Sequence, residues 1–164
     1  MRPTLRTARA TLTGTVVTGH LMALMLAMPA SAAEPSGRNA PAPRPAELSC
    51  LAEAVYFEAG GTGSKAEAAV AHVIVNRAES DEFPGTICGV VSEGCQFSYR
   101  CDGRSDALAD AERRDDAYAA ARAVLRGEPD ITDGALFFHA ATAKPGWFST
   151  RDRVGKIGGN VFYR

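Results

Sequence analysis

The first strong hydrophobic pattern in the chain predicts a helix that ends in a glycine pair. Leu51, Ala54, Val55 and Glu58 recur at steps of three and four, so they share one helical face. Three of these four side chains are apolar, and the fourth is a carboxylic acid. The pair Gly60-Gly61 predicts the C-terminal end of the helix. Glu58 is therefore expected in the last helical turn, among apolar neighbours that raise its pKa together with the helix dipole.

Similar patterns predict the remaining elements. The predicted helices cover about residues 64–78, 86–92 and 107–126. The predicted extended segments cover 94–99, 135–139 and 154–163, the last as a hairpin broken by glycines. A capping box, Ser64-Lys65-Ala66-Glu67, is expected to open the second helix. Helices come first and short strands cluster late, which predicts an α+β fold with a helical core and strands in the C-terminal part.

Residues 1–32 are predicted to be a cleaved secretory signal. Arg2, Arg6 and Arg9 give a basic start, an apolar run follows, and Ala30-Ser31-Ala32 supplies a small-x-small cleavage pattern. A membrane anchor is the alternative, which the small-residue ending disfavours. We therefore expect an exported protein of the periplasm or cell wall, with no stable membrane span after cleavage.

The predicted mature chain is slightly acidic. Loss of the three leader arginines takes the basic residues from 18 to 15 against 19 acidic residues, a formal net charge of −4. This balance argues against nucleic acid as a partner. Residues 33–46 are rich in Pro and Ala and are predicted to form a linker. The folded domain is then expected over residues 47–164.

Four cysteines follow the predicted signal: Cys50, Cys88, Cys95 and Cys101. An even number in a small exported domain predicts two disulfides. Of the three possible pairings we favour Cys95–Cys101 as a local link and Cys50–Cys88 as the long-range one. A zinc site is the alternative, but no Cys-x-x-Cys spacing exists and the histidines lie far from the cysteines in sequence. We predict no metal and no cofactor.

The candidates for chemistry are an acid, amides, a hydroxyl and aromatic side chains. They are Glu58, Gln96, Ser98, Tyr99, His139, Trp147 and Asn160, with Tyr56 divided evenly between the core and a groove wall. The chain has no Gly-x-Ser-x-Gly elbow, no His-Glu-x-x-His and no phosphate-binding loop. One Glu at the end of a helix, together with aromatic and amide side chains, indicates a carbohydrate substrate. Aromatic rings stack on sugar faces, and amides form hydrogen bonds with sugar hydroxyls.

Five ordered motifs between Leu48 and Arg164 match one family. They are Ala54-Val55-Tyr56-Phe57-Glu58-Ala59, Ala71-His72-Val73-Ile74-Val75-Asn76-Arg77, Pro84 to Val91 with Cys95-Gln96-Phe97-Ser98, Gly134-Ala135-Leu136-Phe137-Phe138-His139, and Ile157-Gly158-Gly159-Asn160-Val161-Phe162-Tyr163. On these motifs the chain resembles the SleB/CwlJ-type cell wall hydrolases, the spore-cortex-lytic enzyme family.

The resemblance implies a lysozyme-like fold that acts on peptidoglycan, with Glu58 as the catalytic acid/base. It also implies a saccharide groove lined by the Gln96-Phe97-Ser98 segment. We therefore assign substrate contacts to a wider set: Tyr56, Gln96, Ser98, Tyr99, His139 and Trp147. The chain departs from the family at three positions. Gly60 and Thr62 stand where the family commonly has Arg and Glu, and Asn160 where it usually has His.

The implied reaction is that of a lytic transglycosylase, which cuts the MurNAc–GlcNAc bond with one Glu as acid and then base. A lysozyme-type hydrolase is an alternative and would need a second carboxylate. Asp102, Asp130 and Asp133 are its candidates, although the last two are expected to brace a turn. Further alternatives are a non-catalytic peptidoglycan-binding protein and an amidase, and an amidase usually requires zinc.

Overall fold

The computed structural model of the chain describes residues 43–164. The predicted signal peptide and most of the predicted linker lie outside the described residues. The first helix begins at Pro45, two residues before the predicted start of the domain at 47. Proline suits this position because its missing N–H would have had no partner in the first helical turn.

Four α-helices form the larger part of the described chain. They are α1 (Pro45–Ala59), α2 (Ser64–Glu79), α3 (Ile87–Ser92) and α4 (Ala111–Leu125). Two short 3-10 helices cover Ser98–Cys101 and Gly146–Thr150. Helix α4 starts four residues later than predicted, because the Asp110 side chain accepts a hydrogen bond from Arg113 N at 3.1 Å and caps the helix there.

Helix α1 is the centre of the helical core. Its apolar face, with Leu51, Ala54 and Val55, is fully buried against the other helices. The helix ends as predicted at the glycine pair: Gly60 N donates to Tyr56 O at 3.2 Å, and Gly61 has a φ of +79°. This ending places Glu58 in the last turn.

The predicted capping box at the start of α2 is not formed. Gly63, with a φ of +99°, occupies the N-cap position, so Ser64 is already helical and its hydroxyl cannot cap the helix. The Glu67 carboxylate is buried and accepts a hydrogen bond from Gly61 N at 3.1 Å. Glu67 therefore ties the loop between α1 and α2 to the helix that follows it.

The segment predicted as extended over 94–99 is a turn that leads into a 3-10 helix. The Cys95–Cys101 disulfide brings its two Cα atoms to 5.7 Å. An extended stretch of the same length would span roughly 20 Å, which the disulfide does not allow. The predicted alternation survives in burial, because Gln96 and Ser98 are exposed whereas Phe97 is buried.

A three-stranded antiparallel sheet follows the helices. Its strands are β1 (Phe137–Ala140), β2 (Arg153–Ile157) and β3 (Asn160–Tyr163), in the order β1-β3-β2. The predicted hairpin is formed by β2 and β3 around Gly158-Gly159. Phe162 of the central strand is fully buried with Ala69 and Val73, so the sheet packs against α2. The α+β class is confirmed.

Both disulfides have the favoured pairing. Cys50–Cys88 joins α1 to α3, with a sequence separation of 38, and Cys95–Cys101 closes the short loop before α4. All four cysteines are therefore oxidised. Within residues 43–164, each helix is too short or too polar to cross a bilayer.

Candidate active site

Glu58 opens onto a pocket of about 270 Å³ that five parts of the chain enclose. The lining comes from the ends of α1 and α2, the Gln96 loop, β1 and β3. Its residues are Glu58, Arg77, Gln96, Phe97, Phe138, His139, Ala140 and Asn160. Only one of these residues carries a carboxylate, and it is Glu58. We call this space the inner pocket.

The Glu58 carboxyl is held in an environment that disfavours its charge. Burial raises its pKa above the ordinary value of 4.5, and the nearby Arg77 guanidinium opposes that rise without cancelling it. The direction is the one predicted from the apolar neighbours. A carboxylic acid that keeps its proton towards neutral pH can act as a general acid.

Arg77 lines the inner pocket although it was not among the predicted site residues. Its side chain is 6% exposed, and its Nε donates to Leu136 O at 2.7 Å. Burial lowers its pKa to about 10, while the charges of Glu93 and Glu58 act in the opposite direction. The sequence did carry a signal for the burial of Arg77, because the residue continues the apolar stripe of α2.

A second pocket of about 500 Å³ adjoins the first. Its lining residues are Arg77, Gln96, Phe137, Phe138, Trp147 and Arg151. Because Arg77, Gln96 and Phe138 line both pockets, the two form one groove. We call this second space the outer pocket. Trp147 lines this pocket, and 38% of its surface is exposed.

His139 stands in the wall of the inner pocket with both ring nitrogens engaged. Its Nδ1 lies 2.8 Å from Ala140 O and its Nε2 lies 3.0 Å from the Tyr163 hydroxyl. A carbonyl oxygen only accepts, so Nδ1 carries the proton, and in the neutral ring Nε2 accepts from Tyr163. The ring also meets Trp147 edge-on, at 5.7 Å between centroids. His139 therefore offers the groove a fixed aromatic surface.

Two residues predicted to contact substrate lie in the core instead. Tyr56 is 5% exposed, and its hydroxyl accepts a hydrogen bond from Asp110 N at 3.1 Å. Tyr99 is 6% exposed and its ring stacks on Phe57 at 4.3 Å. Each ring is held by packing behind the groove, so the assignment of substrate contacts to these tyrosines is corrected. Ser98 is exposed but lines neither pocket.

The aspartates considered as a second catalytic carboxylate lie outside the groove lining. Asp102 is exposed and accepts from Arg104 N at 2.8 Å, while Asp133 pairs with Arg164. Asp130 braces the turn before β1, as expected. Burial would raise its pKa, but hydrogen bonds, first from Thr132, outweigh burial and hold the pKa at about 2.

The three departures from the family have different surroundings. Beside Gly60 lies Arg113, whose Nε is 3.0 Å from the position a Cβ would take. Thr62 turns back to the helix end, where its hydroxyl donates to Ala59 O at 2.5 Å. Of the three, only Asn160 lines the inner pocket together with Glu58. Among residues 43–164, no three His, Cys, Asp or Glu side chains are grouped to hold a metal ion.

A family model described as Cell Wall Hydrolase matches residues 61–163. The spore cortex-lytic enzyme of Oceanobacillus iheyensis is 34% identical over 116 residues, which cover 71% of this chain and 41% of that enzyme. The Bacillus subtilis enzyme of the same name is 29% identical over 116 residues, covering 71% and 37%. The chain spans about two fifths of the length of the curated relatives it matches.

Two solved structures are similar in fold and sequence. The catalytic domain of the germination-specific lytic transglycosylase SleB from Bacillus anthracis has a TM-score of 0.62 and 30% identity, over 80% of this chain and 100% of that one. The catalytic domain of Bacillus cereus SleB has a TM-score of 0.59 and 32% identity, over 72% and 89%. The family model begins after Glu58, so the role of that residue depends on the geometry above. The chain belongs to the SleB/CwlJ-type cell wall hydrolase family.

Proposed function

We propose that this protein cleaves the glycan strands of peptidoglycan as a lytic transglycosylase. The observation that carries the proposal is Glu58, the one carboxyl group in the lining of the inner pocket, with a pKa raised by burial. One acid that later serves as the base is sufficient for this reaction. The relatives named for cortex lysis and lytic transglycosylation support the same substrate class.

The reaction returns Glu58 to its starting state. Protonated Glu58 gives its proton to the glycosidic oxygen as the bond to C1 of N-acetylmuramic acid breaks, and positive charge develops on the ring. The carboxylate then takes the proton of the C6 hydroxyl while the C6 oxygen bonds to C1. A 1,6-anhydro ring forms, no water is consumed, and Glu58 is protonated again. Between the two steps the charge of Arg77 stabilises the carboxylate.

The remaining groove residues are suited to hold a saccharide. Gln96 and Asn160 present side-chain amides in the inner pocket, where hydroxyl and N-acetyl groups need hydrogen-bonding partners. Trp147 and His139 present rings on which sugar faces stack. We therefore retain Gln96, His139 and Trp147 from the predicted contacts and add Asn160.

A lysozyme-type hydrolysis is the second candidate. It needs two carboxyl groups about 5–9.5 Å apart across the scissile bond. The two pockets of the groove supply only Glu58 among their lining residues, which favours the transglycosylase. A non-catalytic binding protein would not need a buried acid with a raised pKa at the groove.

We also propose that the protein acts outside the cytoplasm, in the periplasm or the wall. The basic, apolar start with its small-residue ending supports export. The two disulfides support an oxidising compartment. Its substrate lies in the same compartment.

Mass spectrometry of sacculi digested by the purified mature protein tests the proposal. Products that end in 1,6-anhydro-muramic acid are expected. Products with reducing ends would instead select the hydrolase. Retention of the protein on sacculi without any soluble product would select the binding protein.

A further inference from the structure

Two arginines flank a single aromatic ring in the outer pocket. The guanidinium carbon of Arg151 lies 3.6 Å from the centroid of the Phe137 ring, and that of Arg77 lies 5.8 Å from it. Both residues line the pocket, together with Gln96 and Trp147. The lining contains no acidic residue. The outer pocket is thus a cationic cavity beside the site of bond cleavage.

Neither guanidinium has an ion-pair partner within the described part of the chain. Arg77 gives one side-chain hydrogen bond there, from Nε to Leu136 O, and its two Nη groups remain available. Arg151 gives no side-chain hydrogen bond to residues 43–164. Glu93 is near enough to raise the pKa of Arg77, but its carboxylate accepts from Gln96 Nε2 at 3.0 Å and does not line the pocket.

Arg77 is a largely buried cation, and the carboxylates that act on its charge, Glu93 and Glu58, form no ion pair with it. The rings of Phe83, Phe97 and Phe137 surround Arg77 at 5.1, 5.9 and 5.8 Å, which fixes its position but neutralises no charge. When Glu58 is protonated for catalysis, it no longer offsets Arg77 either. An anion supplied by the ligand would satisfy the charge at the stage when substrate binds.

The planar guanidinium donates two parallel hydrogen bonds to a carboxylate, which makes arginine the usual residue for this anion. Peptidoglycan carries carboxylates close to the cleaved bond, on the lactyl ether of muramic acid when it lacks a peptide and on the peptide stem when it has one. We propose that the outer pocket is a subsite for a substrate carboxylate, bound by Arg151 and Arg77. This inference rests on the proposed function, since it takes a glycan strand as the ligand.

Arg151 is the residue to change, because Arg77 also holds the backbone at Leu136. Binding is measured in a Glu58→Gln background, so that no cleavage is required. The ligands are soluble glycan strands with peptide stems, the same strands with their carboxyls converted to methylamides, and stem-free strands with free lactyl carboxylates. Arg126→Gln is the control, because it removes the same charge from an exposed arginine at the C-terminal end of α4.

Arg151→Gln is expected to weaken binding of the stem-bearing strands about tenfold, the size of a lost charge-assisted hydrogen bond. Arg126→Gln should change it less than twofold. On methylamidated strands the Arg151 effect should disappear. A tenfold loss that persists on stem-free strands would show that the subsite accepts the lactyl carboxylate as well as the stem carboxylate, whereas a loss confined to stem-bearing strands would assign it to the stem carboxylate alone. Arg151→Lys keeps the charge but loses the planar guanidinium, so it should lose less affinity for the stem-bearing strands than Arg151→Gln does. It also serves as the test variant if Arg151→Gln does not fold.

The proposal would be overturned if the Glu58→Gln protein and the Glu58→Gln protein that also carries Arg151→Gln bound the stem-bearing strands with equal affinity. A loss of the same size on native and methylamidated strands would overturn it too, because the arginine would then serve packing alone. Cleavage by the unmutated protein is measured separately. Absence of any product there counts against the proposed function, whereas the binding comparison still decides the carboxylate subsite.

Discussion

Glu58 lies on the buried face of its helix and also at the groove, and this position explains its raised pKa. It lies on the same face of α1 as Leu51 and Val55, which are fully buried, and it reaches the groove because the helix ends directly after it. Burial raises its pKa and Arg77 limits the rise. Burial thus favours the protonated acid, whereas the charge of Arg77 favours the carboxylate that proton transfer creates.

Glu58→Gln should abolish cleavage with little effect on the fold. The amide keeps the shape of the side chain but has no proton to transfer, and general acid–base catalysis contributes roughly 10²–10⁴-fold. Release of soluble muropeptides from sacculi measures the rate, and circular dichroism measures the fold. Full activity of this variant, with loss of activity in Asp102→Asn or Asp133→Asn, would show that the acid lies elsewhere.

The raised pKa of Glu58 also predicts how stability depends on pH. Between the ordinary value of 4.5 and the raised value, the folded state binds more protons than the unfolded state, so the free energy of unfolding decreases as the pH rises. Glu58→Gln removes this decrease. Relative to wild type, the variant should therefore gain stability from pH 4 to pH 7 in urea titrations. A constant difference over that range would contradict the raised pKa.

The Gln96 loop illustrates what the sequence could and could not predict about an element. Alternation of polar and apolar residues correctly separated exposed Gln96 from buried Phe97. It did not predict the 3-10 helix, because the conformation is set by the disulfide closure rather than by local preference. The stripe of α2 indicated that Arg77 is buried, but it did not indicate that Arg77 reaches the groove, because that depends on α2 packing beside the end of α1. Patterns along the chain give burial, whereas the site depends on contacts between elements.

Opposite effects are expected from two neighbouring substitutions in this loop. Phe97 is 2% exposed, and Phe97→Ala should lower the free energy of unfolding by roughly 3–5 kcal/mol through the cavity it leaves. Gln96→Ala should leave stability nearly unchanged and slow the turnover of sacculi, because Gln96 lines both pockets. Urea denaturation and the cleavage assay separate the two. Unfolding by Gln96→Ala but not by Phe97→Ala would show that the loop faces the other way.

At the scale of the whole molecule, the two disulfides close loops of very different length. Cys50–Cys88 ties the central helix to α3, and Cys95–Cys101 holds the loop that forms one side of the groove. The long-range link closes a loop of about 38 residues and the local one a loop of about six. Their effects on the unfolded chain should therefore differ.

Removing the long-range disulfide should cost more stability than removing the local one. The chain-entropy model gives about 4 kcal/mol for the Cys50–Cys88 loop and about 2 kcal/mol for the Cys95–Cys101 loop. Paired Cys→Ala variants compared by urea denaturation measure both. Four reactive thiols in the denatured, unreduced wild type would show that neither bond forms in the protein as produced.

The central strand of the sheet, β3, follows the other described elements in sequence and lies between β1 and β2. Two residues that are far apart in sequence, Glu58 of α1 and Asn160 of β3, meet in one pocket. Until β3 inserts between β1 and β2, that pocket has no far wall and Phe162 has no buried place. The groove should therefore be incomplete, and cleavage of glycan absent, in a protein truncated before β3.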